Sequence, residues 1–169
     1  MKKTFMTIVL MAFAFAMQAQ TKFHDVEANE ATGPVKSITN TVMGRSQTVT
    51  FTPEGKMQLE GLSNQVYDND GYLQSYTISA NGNQVNVTLT WENGRVKSQS
   101  MGVMGQTVTT SPIYDENGKV TGQTVDMAGQ KMTTNFTDIK YDERGNFISR
   151  KTSMMGQVIE MPRTIEYYE

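Results

Sequence analysis

Five short segments of this chain repeat one turn chemistry: Phe51-Thr-Pro-Glu-Gly55, Tyr67-Asp-Asn-Asp-Gly71, Trp91-Glu-Asn-Gly94, Tyr114-Asp-Glu-Asn-Gly118 and Tyr141-Asp-Glu-Arg-Gly145. Each is an aromatic, then acidic or amide residues, then Gly. An Asp opening such a turn accepts a hydrogen bond from backbone two residues on, and the closing Gly adopts the positive φ that lets the chain return. Trp91-Glu-Asn-Gly94 is one residue shorter, and its Asn-Gly pair suits a two-residue hairpin turn.

A second turn class alternates with the first: Met43-Gly44-Arg45, Asn81-Gly82-Asn83, Met104-Gly105-Gln106, Ala128-Gly129-Gln130 and Met155-Gly156-Gln157. Strand patterns separate the two classes. Gln84 to Trp91 alternates cleanly, with Val85, Val87, Leu89 and Trp91 on one face. Tyr72, Tyr76 and Ile78 share a face by the same rule, with Leu73 opposite. The pattern predicts strands at 35–42, 45–52, 56–60, 64–67, 72–79, 84–91, 95–101, 106–114, 119–126, 130–141, 146–153 and 157–168. Phe51 and Tyr67 are too close for a full unit, so the repeat breaks at 58–66. Only Asp25 to Ala31 could form a helical turn. The expected fold is all-β: an antiparallel meander of hairpins in one curved sheet, open or barrel-like, because a long antiparallel sheet must twist and curl.

Lys2 and Lys3 followed by the apolar run Phe5 to Met17 and by Ala19-Gln20 read as a secretory signal peptide over 1–19. Cleavage is expected after Ala19, with a competing site after Ala16. A flexible segment at 20–33 and the repeat domain at 34–169 would follow. The run is too short to span a bilayer as a helix, so no stable membrane span is expected once it is removed. Export to the periplasm or beyond the cell is the implied destination. Residues 20–169 hold 13 basic and 17 acidic side chains, a formal charge of −4. That balance, without a basic run, carries no footprint for nucleic acid. The chain has no cysteine, which excludes disulfides, a lipoprotein anchor and thiolate metal sites.

Ile139-Lys-Tyr-Asp-Glu-Arg-Gly-Asn-Phe147, Ile113-Tyr-Asp-Glu-Asn-Gly-Lys-Val120 and Val66-Tyr-Asp-Asn-Asp-Gly-Tyr-Leu73 resemble the YD repeat of RHS-type proteins. The resemblance runs over most of residues 20–169 and implies β-hairpin architecture. In large RHS proteins such repeats wind into a shell around a toxin, for which this chain is too short. It looks like the short exported RHS-repeat-like proteins of Gram-negative bacteria. It departs from the family pattern two residues before each Tyr-Asp, where Gln65, Pro112 and Ile139 replace a second aromatic.

Several side chains invite a functional reading. Asp68 and Asp70 have the oxygen spacing of a calcium loop, but the later bidentate carboxylate is missing and the same letters make a good turn. Met101, Met104, Met127, Met154 and Met155 flank the second turn class, where thioethers suit Cu(I); flexible apolar packing is the plainer account. His24, the only histidine, has no second histidine or cysteine to act with and reads as a solvated imidazole. No metal, cofactor or catalytic residue is assigned. The turn aromatics Phe51, Tyr67, Trp91, Tyr114 and Tyr141 form the candidate contact surface, although a repeat core also requires aromatics there.

The expectation is therefore a non-enzymatic exported protein working by contact with a protein or glycan partner. The alternative is a periplasmic small-ligand carrier with an apolar concavity in a closed sheet. Exposed edge strands would also permit self-association. Closure of the sheet separates these readings.

Overall fold

The computed structural model describes residues 22–80, 82–103, 105–154 and 156–169. The expected signal peptide at 1–19 lies outside these residues, as do Gln20, Asn81, Met104 and Met155. A four-residue helix, α1 (Asp25–Ala28), precedes twelve strands. They are β1 (Val35–Val42), β2 (Arg45–Phe51), β3 (Met57–Gln58), β4 (Leu62–Tyr67), β5 (Leu73–Ala80) and β6 (Asn83–Glu92), then β7 (Arg95–Val103), β8 (Gln106–Tyr114), β9 (Val120–Met127), β10 (Gln130–Tyr141), β11 (Phe147–Met154) and β12 (Gln157–Tyr167). Each falls where the hydrophobic alternation and the turn signals place one.

Every consecutive pair is antiparallel except β3 and β4, and β1 pairs with β12. The sheet order runs β3-β2-β1-β12-β11-β10-β9-β8-β7-β6-β5-β4, a nearly closed barrel whose two edges are neighbours in sequence. The irregular stretch at 58–66 is the seam of this barrel. Each repeat turn forms as its chemistry dictates. The Asp115 carboxylate accepts the N–H groups of Asn117 at 2.9 Å and Lys119 at 2.8 Å; Asp68 and Asp142 do the same. Asn93 and Gly94 both have positive φ, as a two-residue hairpin turn requires.

The alternation rule misplaces Leu73. It is fully buried and shares the inner face with Tyr76, which sits opposite the buried Val87. One extra residue, Gln74, enters β5 between the pairs Val66↔Ser75 and Tyr67↔Leu73. Such a bulge shifts the side-chain parity. The same insertion recurs three residues after the turn glycine at Lys97, Thr121 and Ile148. It puts the buried Val96 on the same face as its partner Trp91.

Directly paired residues share a face, so two rows trace the barrel interior across consecutive strands: Leu89, Gln99, Thr110, Val125, Met132 and Val87, Met101, Val108, Met127. The apolar core fills the side built by β1, β2, β5 and β6, with Ile38, Val49, Phe51, Leu73, Val87 and Leu89 at its centre. The outer face pairs hydroxyls across strands, among them Thr39 with Thr48, Thr90 with Ser98 and Ser100 with Thr109 at 2.7–2.8 Å. Cross-strand Thr and Ser pairs stabilise a sheet face that looks into water. Among the described residues no helix is long and apolar enough to cross a membrane.

The segment expected to be flexible is packed instead. Residues 22–33 run across the aromatic-turn end, with Val26 and Ala31 buried in the core. Phe23 N–H bonds the Glu54 carbonyl and His24 N–H the Gly71 carbonyl, each at 3.1 Å. A Cβ at Gly71 would meet the Lys22 carbonyl oxygen at 1.8 Å, so only glycine admits this chain crossing. The imidazole of His24 stacks on Tyr72 with centroids 3.9 Å apart and lies 3.7 Å from Glu27. It is a packed residue rather than a solvated one. Nothing local in 20–33 signals this; the binding partners of the segment are all far away in sequence.

Candidate functional site

The aromatic turns gather at one end of the barrel and obey a common rule. The residue after each turn glycine covers the aromatic of the next turn: Lys56 over Tyr67 at 5.5 Å, Arg95 over Tyr114 at 5.6 Å and Lys119 over Tyr141 at 5.2 Å from the ring centroids. Tyr72 takes that place beside Trp91, with centroids 4.9 Å apart. The polar tips close a ladder. Trp91 Nε1 donates to the Leu73 carbonyl at 2.8 Å and the Tyr114 hydroxyl to the Val96 carbonyl at 2.9 Å, both eighteen residues back. Each cation–π contact contributes about 0.5–1 kcal/mol at partly exposed sites.

The N-terminal segment fills this end unevenly. Phe23 packs on Tyr67 at 4.7 Å and His24 lies on Tyr72, so the turns around Tyr67 and Trp91 are occupied. In front of Tyr114 and Tyr141 a cavity of about 230 Å³ stays open. Its apolar wall includes Val96, Val120 and Phe147, and its polar edge includes Glu27, Lys119 and Asn146. Asn146 is buried and fixed: it accepts the Thr32 N–H at 2.8 Å and donates to the Thr32 carbonyl at 2.9 Å and the Tyr167 hydroxyl at 2.7 Å. Burial raises the Glu27 carboxyl above its ordinary value, and its buried Oε2 has no hydrogen-bond partner. Burial, then the charge of Glu30, raises the Tyr114 phenol.

The five aromatics of the expected contact surface therefore part ways. Phe51 is a core residue, 1% exposed. Tyr67 belongs to the seam, and Trp91 is held under Tyr72. Only Tyr114 and Tyr141 face the cavity together. The Asp68 carboxylate is engaged by its own turn and by Gln74 Nε2 at 3.1 Å, and no cluster of three or more His, Asp or Glu capable of holding a metal occurs among the described residues. Met101, Met127 and Met154 share the inner face on alternate strands, two strands apart, which is roughly 10 Å between backbones.

Sequence reasoning overlooked Arg95, Lys119 and Glu27. The first two follow a turn glycine, as Lys56 does, and that pattern was readable. Glu27 carried no signal, because its place depends on where the segment docks.

At the seam, Asp25 is fully buried and its Oδ2 accepts the Met57 N–H at 2.6 Å and the Tyr67 hydroxyl at 2.7 Å. Gln65 Nε2 donates to the Met57 carbonyl at 3.2 Å. Side chains thus join β3 to β4 where no ladder does, and the backbone groups of Met57 are already engaged. The chain matches no protein-family model, no curated protein and no solved structure.

Proposed function

We propose that this is an exported, non-enzymatic binding protein that holds a small ring-shaped ligand bearing hydrogen-bond donors, a single sugar unit being the fitting chemistry, in the Tyr114–Tyr141 cavity. The observation that carries the reading is the uneven filling of the aromatic end. The repeat places an aromatic at each turn of the first class, and the N-terminal segment packs Phe23 on Tyr67 and His24 on Tyr72, the ring beside Trp91, but leaves space before Tyr114 and Tyr141. A volume of about 230 Å³ lies just below the usual ~300–1,000 Å³ of drug-sized sites, which suits a small ligand. Aromatic faces stack the ring, while Glu27, Lys119 and Asn146 at the polar edge meet its polar groups. The resemblance to YD-repeat proteins suggests the hairpin scaffold in this reading and no chemistry.

Thermal melts of the full chain with a panel of neutral and amino monosaccharides test it. A ligand at a hundred times its Kd adds about 2.7 kcal/mol of stability, a clear rise in Tm. Tyr141→Ala removes a 41% exposed ring and is expected to abolish the rise while the chain still folds. A panel without any saturable shift, or an equal shift in the variant, ends the proposal.

A second reading, contact with a protein partner, draws on the opposite end of the barrel. There Val42, Val103, Met127, Met132 and Met154 are 38–64% exposed although they belong to the inner face. Specific recovery of one partner from an envelope fraction would support it, provided Met132→Asp abolishes the recovery.

A further inference from the structure

We propose a second site, for a small oxyanion of the carboxylate or phosphate class, in the cavity of about 290 Å³ between the N-terminal segment and strands β11 and β12, where Arg150 and Arg163 face it. Both arginines are more than nine-tenths buried, at 7% and 6% exposure. Arg150 stacks over Phe136 at 3.7 Å and over Phe147 at 4.2 Å, and Arg163 lies over Phe147 at 4.2 Å. Stacking occupies guanidinium faces and leaves the N–H edges for recognition, the geometry that suits planar or tetrahedral oxyanions.

The edges are only partly satisfied. Arg150 Nη1 meets Glu30 Oε2 at 2.6 Å. Arg163 donates to the backbone carbonyls of Glu30, at 3.0 Å, and of Asn29. The Nε–H of each arginine has no partner among the described residues. Arg150 is thus paired with a carboxylate, whereas Arg163 bonds only backbone carbonyls and meets the charges of Glu30 and Asp142 without a direct ion pair. The nearby Asp142 carboxylate is engaged by the Tyr167 hydroxyl and its own turn. Burial lowers the Arg163 pKa to about 10, which reflects the cost of an underpaired charge inside protein. A bound oxyanion would give Arg163 the direct anionic partner it lacks. Asn40, opposite Arg163 in the β1–β12 ladder, lines the same space with amide donors. The proposal does not depend on the ring-ligand reading, although Glu30 and Phe147 line both cavities.

Calorimetric titration of the full chain with sodium phosphate, and separately with acetate and succinate, at constant ionic strength tests it. Saturable binding of at least one oxyanion below ten millimolar is expected, with chloride inert; which arm binds tells phosphate from carboxylate. Asn40→Met fills the cavity without touching an arginine contact and is expected to weaken binding at least tenfold. Glu30→Gln removes the competing internal carboxylate and is expected to tighten binding several-fold, an effect that a purely structural arginine pair would not produce. Tyr141→Ala leaves this binding unchanged. Absence of saturable binding in the wild-type chain, undiminished binding in Asn40→Met, or weaker binding in Glu30→Gln overturns the proposal.

Discussion

At the scale of single residues, Asp25 is a fully buried carboxyl group that joins the two sides of the seam. Burial raises its carboxyl above the ordinary value, against the Met57 N–H, the Tyr67 hydroxyl and the charges of Lys56 and His24, which favour the anion. Because its folded pKa is raised, the folded chain holds the proton more tightly than the unfolded chain. Its contribution is therefore fully present below the unfolded carboxyl value near ~4 and is lost as pH rises through the folded value. Asp25→Asn keeps an acceptor and removes the titration. Its stability relative to wild type is expected to climb as pH goes from 4 to 8, read from urea midpoints at each pH; a flat difference would remove Asp25 as the titrating group. Asp25→Ala leaves two donors without their acceptor and is expected to cost about 2–3 kcal/mol.

At the scale of elements, the two turn classes differ in how well their residues suit their geometry. The aromatic-Asp turns use Asp to bond the backbone and Gly to take positive φ, and nothing in them is strained. Among the second class, Met43 at φ 50° and Ala128 at φ 52° occupy the left-handed region ahead of Gly44 and Gly129. A side chain other than Asn, Asp or Gly there costs roughly 1 kcal/mol. Met43→Asn is expected to stabilise the chain by about 0.5–1 kcal/mol, checked by denaturant midpoint. The positions of both turn classes could be read because each is specified by three to five contiguous residues. The bulges at Gln74, Lys97, Thr121 and Ile148 could not, because a bulge is a mismatch between two strands and neither carries it alone. That is why alternation put Leu73 on the wrong face.

At the scale of the whole molecule, the barrel has two unlike ends. The aromatic end is stoppered by residues 22–33, and the other exposes inner-face Met and Val side chains. Replacing Met127, Met132 and Met154 together by Gln is expected to reduce binding of a hydrophobic dye by more than half. Stability should change by no more than about 0.5 kcal/mol per site, the usual effect at exposed positions. An unchanged dye signal would place the accessible apolar surface elsewhere.

What the sequence determined by itself is everything local: which residues turn, which extend, and that the strands follow one another as an antiparallel meander. Those properties arise from backbone preferences and hydrogen bonds within a few residues. Tertiary structure alone decided that β1 meets β12, so that Val35 faces Tyr167 and the sheet curls into a nearly closed barrel. It also decided that Asp25 joins the seam, that Arg150 and Arg163 share Glu30, and that only Tyr114 and Tyr141 keep open space before them. Each of these depends on groups brought together from distant parts of the chain by closure, and closure is a property of the accumulated twist of the whole sheet.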